Sequence, residues 1–136
     1  MSYGEGSMEV AAALIYRDGR LLVCQRREKA SFPLKWEFPG GKVEKGEVPM
    51  GALRRELREE LGIEVHSARE VFHHGHAYSN GTEVDLTFFR VEQYSGIVMN
   101  LVFRELLWVD KEEIQKLDFL EGDQPLIELI VRGELE

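Results

Sequence analysis

The segment between Pro49 and Gly62 constrains the fold of this chain more than any other. Proline suits the first turn of a helix, and glycine suits the residue that ends one. Between them Leu53, Leu57 and Leu61 recur every four residues, so one apolar stripe faces the core. The segment therefore predicts an amphipathic helix that is held to the protein through its leucines.

Three glutamates lie on the same helix, away from the leucine stripe. Glu56, Glu59 and Glu60 are related by steps of three and four, which predicts that their carboxylates share one face. Like charges at such spacings destabilise a helix by roughly 0.2–0.5 kcal/mol per pair. A hard divalent cation, which prefers carboxylate oxygens, would turn this repulsion into a binding site. The alternative is a solvated acidic face with the neighbouring arginines as counter-charges.

The surroundings of these glutamates form a longer pattern. Residues 41–63 agree at every fixed position with G-x5-E-x7-R-E-U-x-E-E-x-G-U, where U is aliphatic. In this pattern the chain resembles the Nudix hydrolases. Residues 36–41 (WEFPGG) make it similar to the MutT-like branch, whose members hydrolyse nucleoside triphosphates, often oxidised ones. The resemblance covers nearly the whole chain from Met8 onward.

The resemblance implies roles for the residues of the pattern. The backbone carbonyl of Gly40 and three carboxylates would hold Mg²⁺, with Mn²⁺ possible; the carboxylates are those of Glu56, Glu59 and Glu60. Glu56 would also orient or deprotonate the attacking water. Glu47 and Arg55 would pair and hold the loop against the helix. The catalytic residues implied are therefore Glu47, Arg55, Glu56 and Glu59.

Candidate substrate contacts lie outside the pattern. Arg26 and Arg27 end a predicted strand where family members place an arginine on phosphate or base, although a surface role is the alternative for each. Glu37 precedes the glycine loop as in close MutT relatives. Phe38 would stack on a nucleobase or else belong to the core.

Asp123 is the candidate for reading the base. It begins the last predicted helix, at the position where oxidised-guanine enzymes of the family carry asparagine. An ionised aspartate only accepts hydrogen bonds, so it would suit a donor-rich edge such as that of guanine. A helix N-cap is the alternative role. Thr82 and Val102 depart from residues that some relatives use for the base and the metal, so the resemblance does not imply strict 8-oxo-dGTP specificity.

Three histidines and one cysteine have simpler interpretations. On a strand His74 and His76 share a face while His73 points away, and no cysteine accompanies them. The pattern therefore favours a cleft-rim or substrate-facing role over zinc. Cys24, the single cysteine, lies in an apolar run and is expected to be a buried, reduced thiol.

The remaining segments predict an α+β or α/β fold. Residues 8–16 and 21–25 read as strands of a hairpin around Asp18-Gly19, followed by strands at 36–38, 64–78, 82–94 and 106–109. Asp110 and Glu113 form a capping box for a helix over 112–117, and a last helix begins near Asp123. This order predicts a mixed sheet covered by helices on both sides, which is also the α/β/α sandwich that the resemblance implies.

Length and composition limit the function further. The 136 residues predict one domain over 8–136, with residues 1–7 a frayed end or cloning remnant. No apolar run approaches the about 18 residues of a membrane span, and no signal peptide is evident, so a cytoplasmic protein is expected. The net charge of −8 argues against a nucleic-acid polymer as partner and leaves a small nucleotide. Monomer and homodimer both stay open.

The resemblance implies a Mg²⁺-dependent enzyme of nucleotide-pool sanitation. It would cleave a (deoxy)nucleoside triphosphate, plain or oxidised, to the monophosphate and pyrophosphate through attack of water on the β-phosphorus. One alternative is a Nudix hydrolase of ADP-ribose or a dinucleoside polyphosphate. Another is a non-catalytic nucleotide sensor, against which the intact pattern argues.

Overall fold

The computed structural model describes residues 7–135, which form strands and helices in mixed order. Within this part of the chain the strands are β1 (Ser7–Leu14), β2 (Tyr16–Arg17), β3 (Arg20–Gln25), β4 (Trp36–Glu37), β5 (Gly40–Lys42), β6 (Glu64–Ala77), β7 (Glu83–Ser95) and β8 (Glu105–Val109). The helices are α1 (Pro49–Leu61), α2 (Lys111–Ile114) and α3 (Gln124–Val131), the last preceded by a 3₁₀ turn, Glu121–Asp123.

A mixed sheet in the order β5-β1-β7-β6 forms the centre of the fold. Strands β1 and β7 run parallel, and the other pairs are antiparallel. Successive side chains of a strand point to opposite faces. Ala12 of β1 accordingly packs in the core that contains Leu126 of α3, and Ala11 packs in the core that contains Leu57 of α1. The predicted mixed sheet with helices on both sides is therefore confirmed.

A second, antiparallel sheet contains β2, β3, β4 and β8, and it was not predicted. The expected hairpin exists only between the two-residue strand β2 and β3, around Asp18 and Gly19. Both turn residues have positive φ, 51° and 78°, as a tight hairpin turn requires. The predicted strand 8–16 is wrong as one unit, because the chain changes sheets after Leu14. Apolar residues on both sides of that break conceal it in the sequence.

Helix α1 matches its prediction. Leu53, Leu57 and Leu61 are each 0% exposed, and Gly62 ends the helix with φ of 71° while its N–H donates to the carbonyl of Arg58. Two further carbonyls at this end, those of residues 60 and 61, accept from the backbone of the loop at 99–101. Both the rotation and the C-terminal end of α1 are thus set by packing.

The C-terminal elements depart from prediction in two places. The Asp110–Glu113 capping box is present, but α2 ends at Ile114 instead of reaching 117. Helix α3 begins at Gln124, and Asp123 before it has helical φ and ψ and makes no side-chain cap. The N-cap alternative for Asp123 is therefore wrong. Cys24 is buried as expected, and no helix among residues 7–135 is long and apolar enough to cross a membrane.

Candidate active site

A cleft of about 640 Å³ lies between the glycine loop, α1, the β6–β7 hairpin and the turn before α3. Four acidic residues of the described part of the chain line it: Glu37, Glu56, Glu60 and Asp123. The negative charge of Glu37 contributes to the raised pKa of both Glu60 and Asp123. The acids of α1 and the acid of the 3₁₀ turn therefore both lie within electrostatic reach of Glu37.

The Glu47–Arg55 pair is present and holds the loop as the resemblance implied. Arg55 Nε donates to Glu47 Oε2 at 2.7 Å, and Nη2 donates to Glu47 Oε1 at 2.9 Å. The same Nη2 donates to the carbonyl of Lys42 at 3.0 Å. The two bonds from Arg55 to Glu47, followed by the bond from the Glu44 N–H, lower the pKa of Glu47 to about 2. One guanidinium thereby ties both ends of the 42–47 loop to α1.

The remaining nitrogen of Arg55 faces the acidic cluster. Arg55 Nη1 lies 2.7 Å from Glu56 Oε1 and 3.6 Å from Glu59 Oε1. The side chain of Glu59 is 58% exposed, so its carboxylate is hydrated, whereas that of Glu56 is mostly covered. The guanidinium is therefore the counter-charge of Glu56.

The negative charge of Glu60 is neutralised by a bound proton rather than by an arginine. Burial, and then the negative charge of Glu56, raise the pKa of Glu60 to about 9, while the Gly40 N–H, which donates to Glu60 Oε1 at 3.1 Å, acts in the opposite direction. Burial also raises the pKa of Glu56. At neutral pH the two side chains therefore share a hydrogen bond in which Glu60 is the donor. A Cβ at Gly41 would overlap the Glu56 carboxylate, so any other residue there would displace that carboxylate.

The structure brings together two of the three glutamates expected to hold a metal. Among residues 7–135 no point is surrounded by three acidic, histidine or cysteine side chains. Adjacent helical residues differ by about 100° in direction, and the rotation that turns Glu60 to the cleft leaves the Glu59 side chain 58% exposed. The Glu56–Glu60 pair still fits a hard divalent cation, because it offers largely covered carboxylate oxygens whose charges are compensated only by Arg55 and a proton. The Gly40 N–H donates to Glu60, so the backbone of Gly40 lies against the same pair.

The two arginines differ from the expectation of free phosphate or base contacts. Every nitrogen of the Arg26 guanidinium donates within the protein, to the carboxylate of Glu37 and to the carbonyl and hydroxyl of Ser31. Arg26 therefore shapes the 26–37 loop. Arg27 Nε donates to the carbonyl of Val102 at 2.6 Å, and the residue remains exposed on the cleft wall.

Phe38 belongs to the core. It is 3% exposed, and its ring packs against Phe88 and Phe119 with centroids 6.2 and 5.4 Å away. It reaches the cleft only as part of the wall. Phe32, which sequence reasoning missed, and Tyr78 line the cleft with ring centroids 4.7 Å apart. No local sequence pattern predicts that Phe32 lines a cleft, because the hydrogen bonds of Arg26 determine the conformation of its loop.

Asp123 is 5% exposed and lines the cleft. One of its carboxyl oxygens accepts from the backbone N–H of Phe38, and Oδ2 has no hydrogen-bond partner in the described part of the chain. Burial, followed by the charge of Glu37, raises the pKa of Asp123 well above its ordinary value. This burial favours the protonated carboxylic acid, whose free oxygen can donate, over the ionised acceptor that was expected.

The three histidines lie behind the cleft rather than at its rim. His73 pairs with Asp85 at 2.9 Å on one face of β6. His74 and His76 point to the other face, as the alternation predicted, and contact the 3₁₀ turn before α3. None of the three belongs to the cleft lining, so the expected substrate-facing role is wrong. Thr82 and Val102, the two departures from some relatives, do line the cleft.

Comparison with known proteins places this fold and site in one family. The model of the NUDIX domain matches residues 7–130. A CTP pyrophosphohydrolase of Escherichia coli (strain K12) is 39% identical over 121 residues, 89% of each chain. An 8-oxo-dGTP diphosphatase of Haemophilus influenzae is 32% identical over 121 residues, 88% of each chain.

Solved structures agree with these sequence comparisons. The solution structure of the E. coli ORF135 protein has a TM-score of 0.80 and 36% identity, and the match covers 93% of this chain and 89% of that one. A MutT NUDIX hydrolase of Burkholderia pseudomallei has a TM-score of 0.82 and 26% identity, covering 91% and 98%. The fold and the relatives define a hydrolase of the MutT-like type. The chain belongs to the Nudix family.

The buried proton of Glu60 makes a stability prediction for the metal-free protein. The folded pKa of about 9 exceeds the ordinary value of 4.5, so the unfolded chain loses this proton first as pH rises. The stability that the Glu60 proton contributes is therefore fully present below pH 4.5, and it is lost progressively as the pH rises toward 9. Glu60→Gln keeps a neutral side chain at every pH. In thermal unfolding with EDTA, its Tm should exceed that of the wild type by an amount that grows from pH 5 to pH 8.

Glu59→Gln is the matched control, because it changes the exposed glutamate next in the chain. Its Tm difference from the wild type should not grow over the same pH range. A Glu60→Gln difference that is constant with pH, or that shrinks as pH rises, would show that Glu60 is ionised in the folded protein.

Proposed function

We propose that this chain hydrolyses a nucleoside triphosphate to the monophosphate and pyrophosphate, with Mg²⁺ as the metal ion and Mn²⁺ as a substitute. The observation that supports this most strongly is the union of two sites in one cleft. The Glu56–Glu60 pair suits a metal-bound polyphosphate, and the buried acid Asp123 suits the edge of a base. The relatives named for CTP and 8-oxo-dGTP act on substrates that have both parts.

The polyphosphate end depends on charge compensation. Glu56 and Glu60 would hold the cation, with Glu59 and the Gly40 carbonyl as the further ligands that the family resemblance implies. A bound divalent ion neutralises charge on phosphate oxygens and lowers the pKa of coordinated water. Arg55 keeps the loop closed on this pair and fixes the Glu56 carboxylate through Nη1.

Glu56 is the candidate for orienting the attacking water. It lies in the cleft, and burial raises its pKa, which makes it a stronger base than an exposed glutamate. Water would attack the β-phosphorus. The bond from that phosphorus to the bridging oxygen of the α-phosphate breaks, and the nucleoside monophosphate departs with that oxygen. The proton of the water passes to the base, and pyrophosphate is the second product.

The base end combines one polar group with apolar walls. Burial raises the pKa of Asp123, and its Oδ2, when protonated, would donate to a ring nitrogen or carbonyl of the base. Phe32 and Tyr78 supply aromatic surface beside it, and Val84 and Leu86 supply aliphatic surface. Such a site would discriminate by hydrogen bonding within an otherwise permissive apolar slot.

A substrate panel tests the function directly. With Mg²⁺ present, CTP, dCTP, dGTP, 8-oxo-dGTP, ADP-ribose and a dinucleoside tetraphosphate would be compared by kcat/KM, with pyrophosphate and orthophosphate assayed separately. We expect a nucleoside triphosphate to lead and to release pyrophosphate. In H₂¹⁸O the label should enter pyrophosphate. Preference for ADP-ribose or the dinucleotide, or release of orthophosphate as the primary product, would refute the proposal.

Arg55→Ala should lower kcat/KM by about 10²-fold, since a small displacement of a catalytic loop has effects of that size. The variant loses the bonds that tie the 42–47 loop to α1 and that fix the Glu56 carboxylate, but it removes none of the proposed metal ligands. Arg58→Ala is the matched control, because Arg58 pairs with Glu64 on the exposed side of the same helix. Steady-state kinetics that are equal for Arg55→Ala and Arg58→Ala would contradict the bracing role.

Asp123→Asn should preserve the ranking of nucleobases, because the amide N–H₂ replaces the carboxylic O–H as donor while its oxygen still accepts from Phe38. Asp123→Ala should reduce the differences in kcat/KM between nucleobases by roughly 10-fold, which corresponds to the loss of one hydrogen bond in a site without water. Relative kcat/KM for dCTP, dGTP and 8-oxo-dGTP at pH 7 measures both. If Asp123→Asn changed the ranking as much as Asp123→Ala does, the residue would act as an ionised acceptor instead.

A further inference from the structure

Both backbone polar groups of Gly122, the residue before Asp123, are held by side chains of the β6 segment. The Gly122 N–H donates to the Tyr78 hydroxyl at 3.1 Å, in a bond that is buried. His74 Nε2 lies 2.7 Å from the Gly122 carbonyl. A carbonyl only accepts, so Nε2 must carry the hydrogen and donate. One peptide unit on each side of Gly122 is thus fixed from a single strand.

Gly122 packs so tightly against Tyr78 that a displacement of Tyr78 would displace Gly122. A Cβ added at Gly122 would lie 2.7 Å from the Tyr78 hydroxyl oxygen and 2.9 Å from Leu86 Cδ1, so strand and turn touch without spare room. The ring of His76 packs edge to face against the ring of Tyr78, at a centroid distance of 4.5 Å. The side chains at 74, 76 and 78 alternate with exposed residues and share one face of the strand.

The 3₁₀ turn is held on its other side by β4, where the Leu120 N–H donates to the Trp36 carbonyl. The Asp123 N–H donates to the Leu120 carbonyl, and one carboxyl oxygen of Asp123 accepts from the Phe38 N–H. The second carboxyl oxygen, Oδ2, is buried and unpartnered in the described part of the chain. Since Gly122 is the residue directly before Asp123, the bonds that hold Gly122 help to set where that oxygen lies in the cleft.

We propose that Tyr78 and His74 are positioning residues for base recognition, acting through the backbone of Gly122 on the carboxyl of Asp123. This inference rests on the proposed role of Asp123 and extends it to two residues, one of which does not line the cleft. It also assigns a role to His74 of β6, which does not line the cleft and therefore has no proposed contact with substrate.

A double-mutant cycle tests the inference. Tyr78→Phe keeps the ring that contacts Phe32 and removes the acceptor for the Gly122 N–H. We expect it to reduce kcat/KM for the preferred nucleotide roughly 3- to 10-fold, the equivalent of one hydrogen bond, mainly through KM, and to compress the base ranking. In the Asp123→Ala background the same change should leave the ranking as it is, because residues that act as one unit are not additive.

The histidine offers a rescue experiment and an internal control. His74→Gln, whose side-chain N–H₂ can still donate to the Gly122 carbonyl, should retain the base ranking better than His74→Leu does. His73→Gln alters the neighbouring histidine on the opposite face of β6, which pairs with Asp85, and should leave the ranking unchanged. Thermal unfolding and amide exchange at Gly122 verify that each variant is folded and that the intended bond has been lost.

The outcomes separate the two proposals. If Asp123→Ala alters the ranking while Tyr78→Phe is silent or fully additive with it, the positioning role is overturned and the role of Asp123 stands. If Asp123→Ala itself leaves the ranking unchanged, both are overturned. If His74→Gln and His74→Leu gave the same base ranking, His74 would have no positioning role.

Discussion

The burial of Glu60 against Glu56 is the interaction on which the arrangement of the site depends. The leucine stripe of α1 leaves the helix no freedom of rotation, and that rotation carries both carboxyls into the cleft. Two adjacent carboxylates in such a place repel each other and lose hydration. The protein compensates Glu56 with Arg55 and Glu60 with a proton. A divalent cation would replace that proton, which explains why a helix of ordinary packing keeps an unfavourable pair.

The same physical effect, loss of hydration, gives Asp123 a different property. It is also buried, and one of its carboxyl oxygens has no hydrogen-bond partner in the described part of the chain, so burial favours its neutral, hydrogen-donating form. The charge of Glu37, which is paired with Arg26, acts on both sites. One cleft thus contains an acid pair suited to a cation and a single acid suited to a hydrogen bond, and the surroundings determine which is which.

Spacing in the sequence predicted those features that neighbouring residues determine. The limits of α1, the Asp18-Gly19 turn and the Asp110 capping box belong to this group, because each depends on contacts within a few residues. The change of sheets after Leu14, the exposure of Glu59 and the raised pKa of Asp123 do not. Each of these depends on which distant segment covers the residue, and periodicity contains no information about that. Phe38 illustrates the same limit, since only the packing of Phe88 and Phe119 makes it core.

Proton release on metal binding tests most directly whether the acid pair is a cation site held ready by a proton. Calorimetric titration with Mg²⁺ at pH 7.5, in buffers of different ionisation enthalpy, gives the number of protons released per ion bound. Glu60 has a pKa of about 9, so the wild type should release about one proton per ion. Glu60→Gln, which has no such proton, should release almost none. No release from the wild type, or equal release from both proteins, would contradict the account.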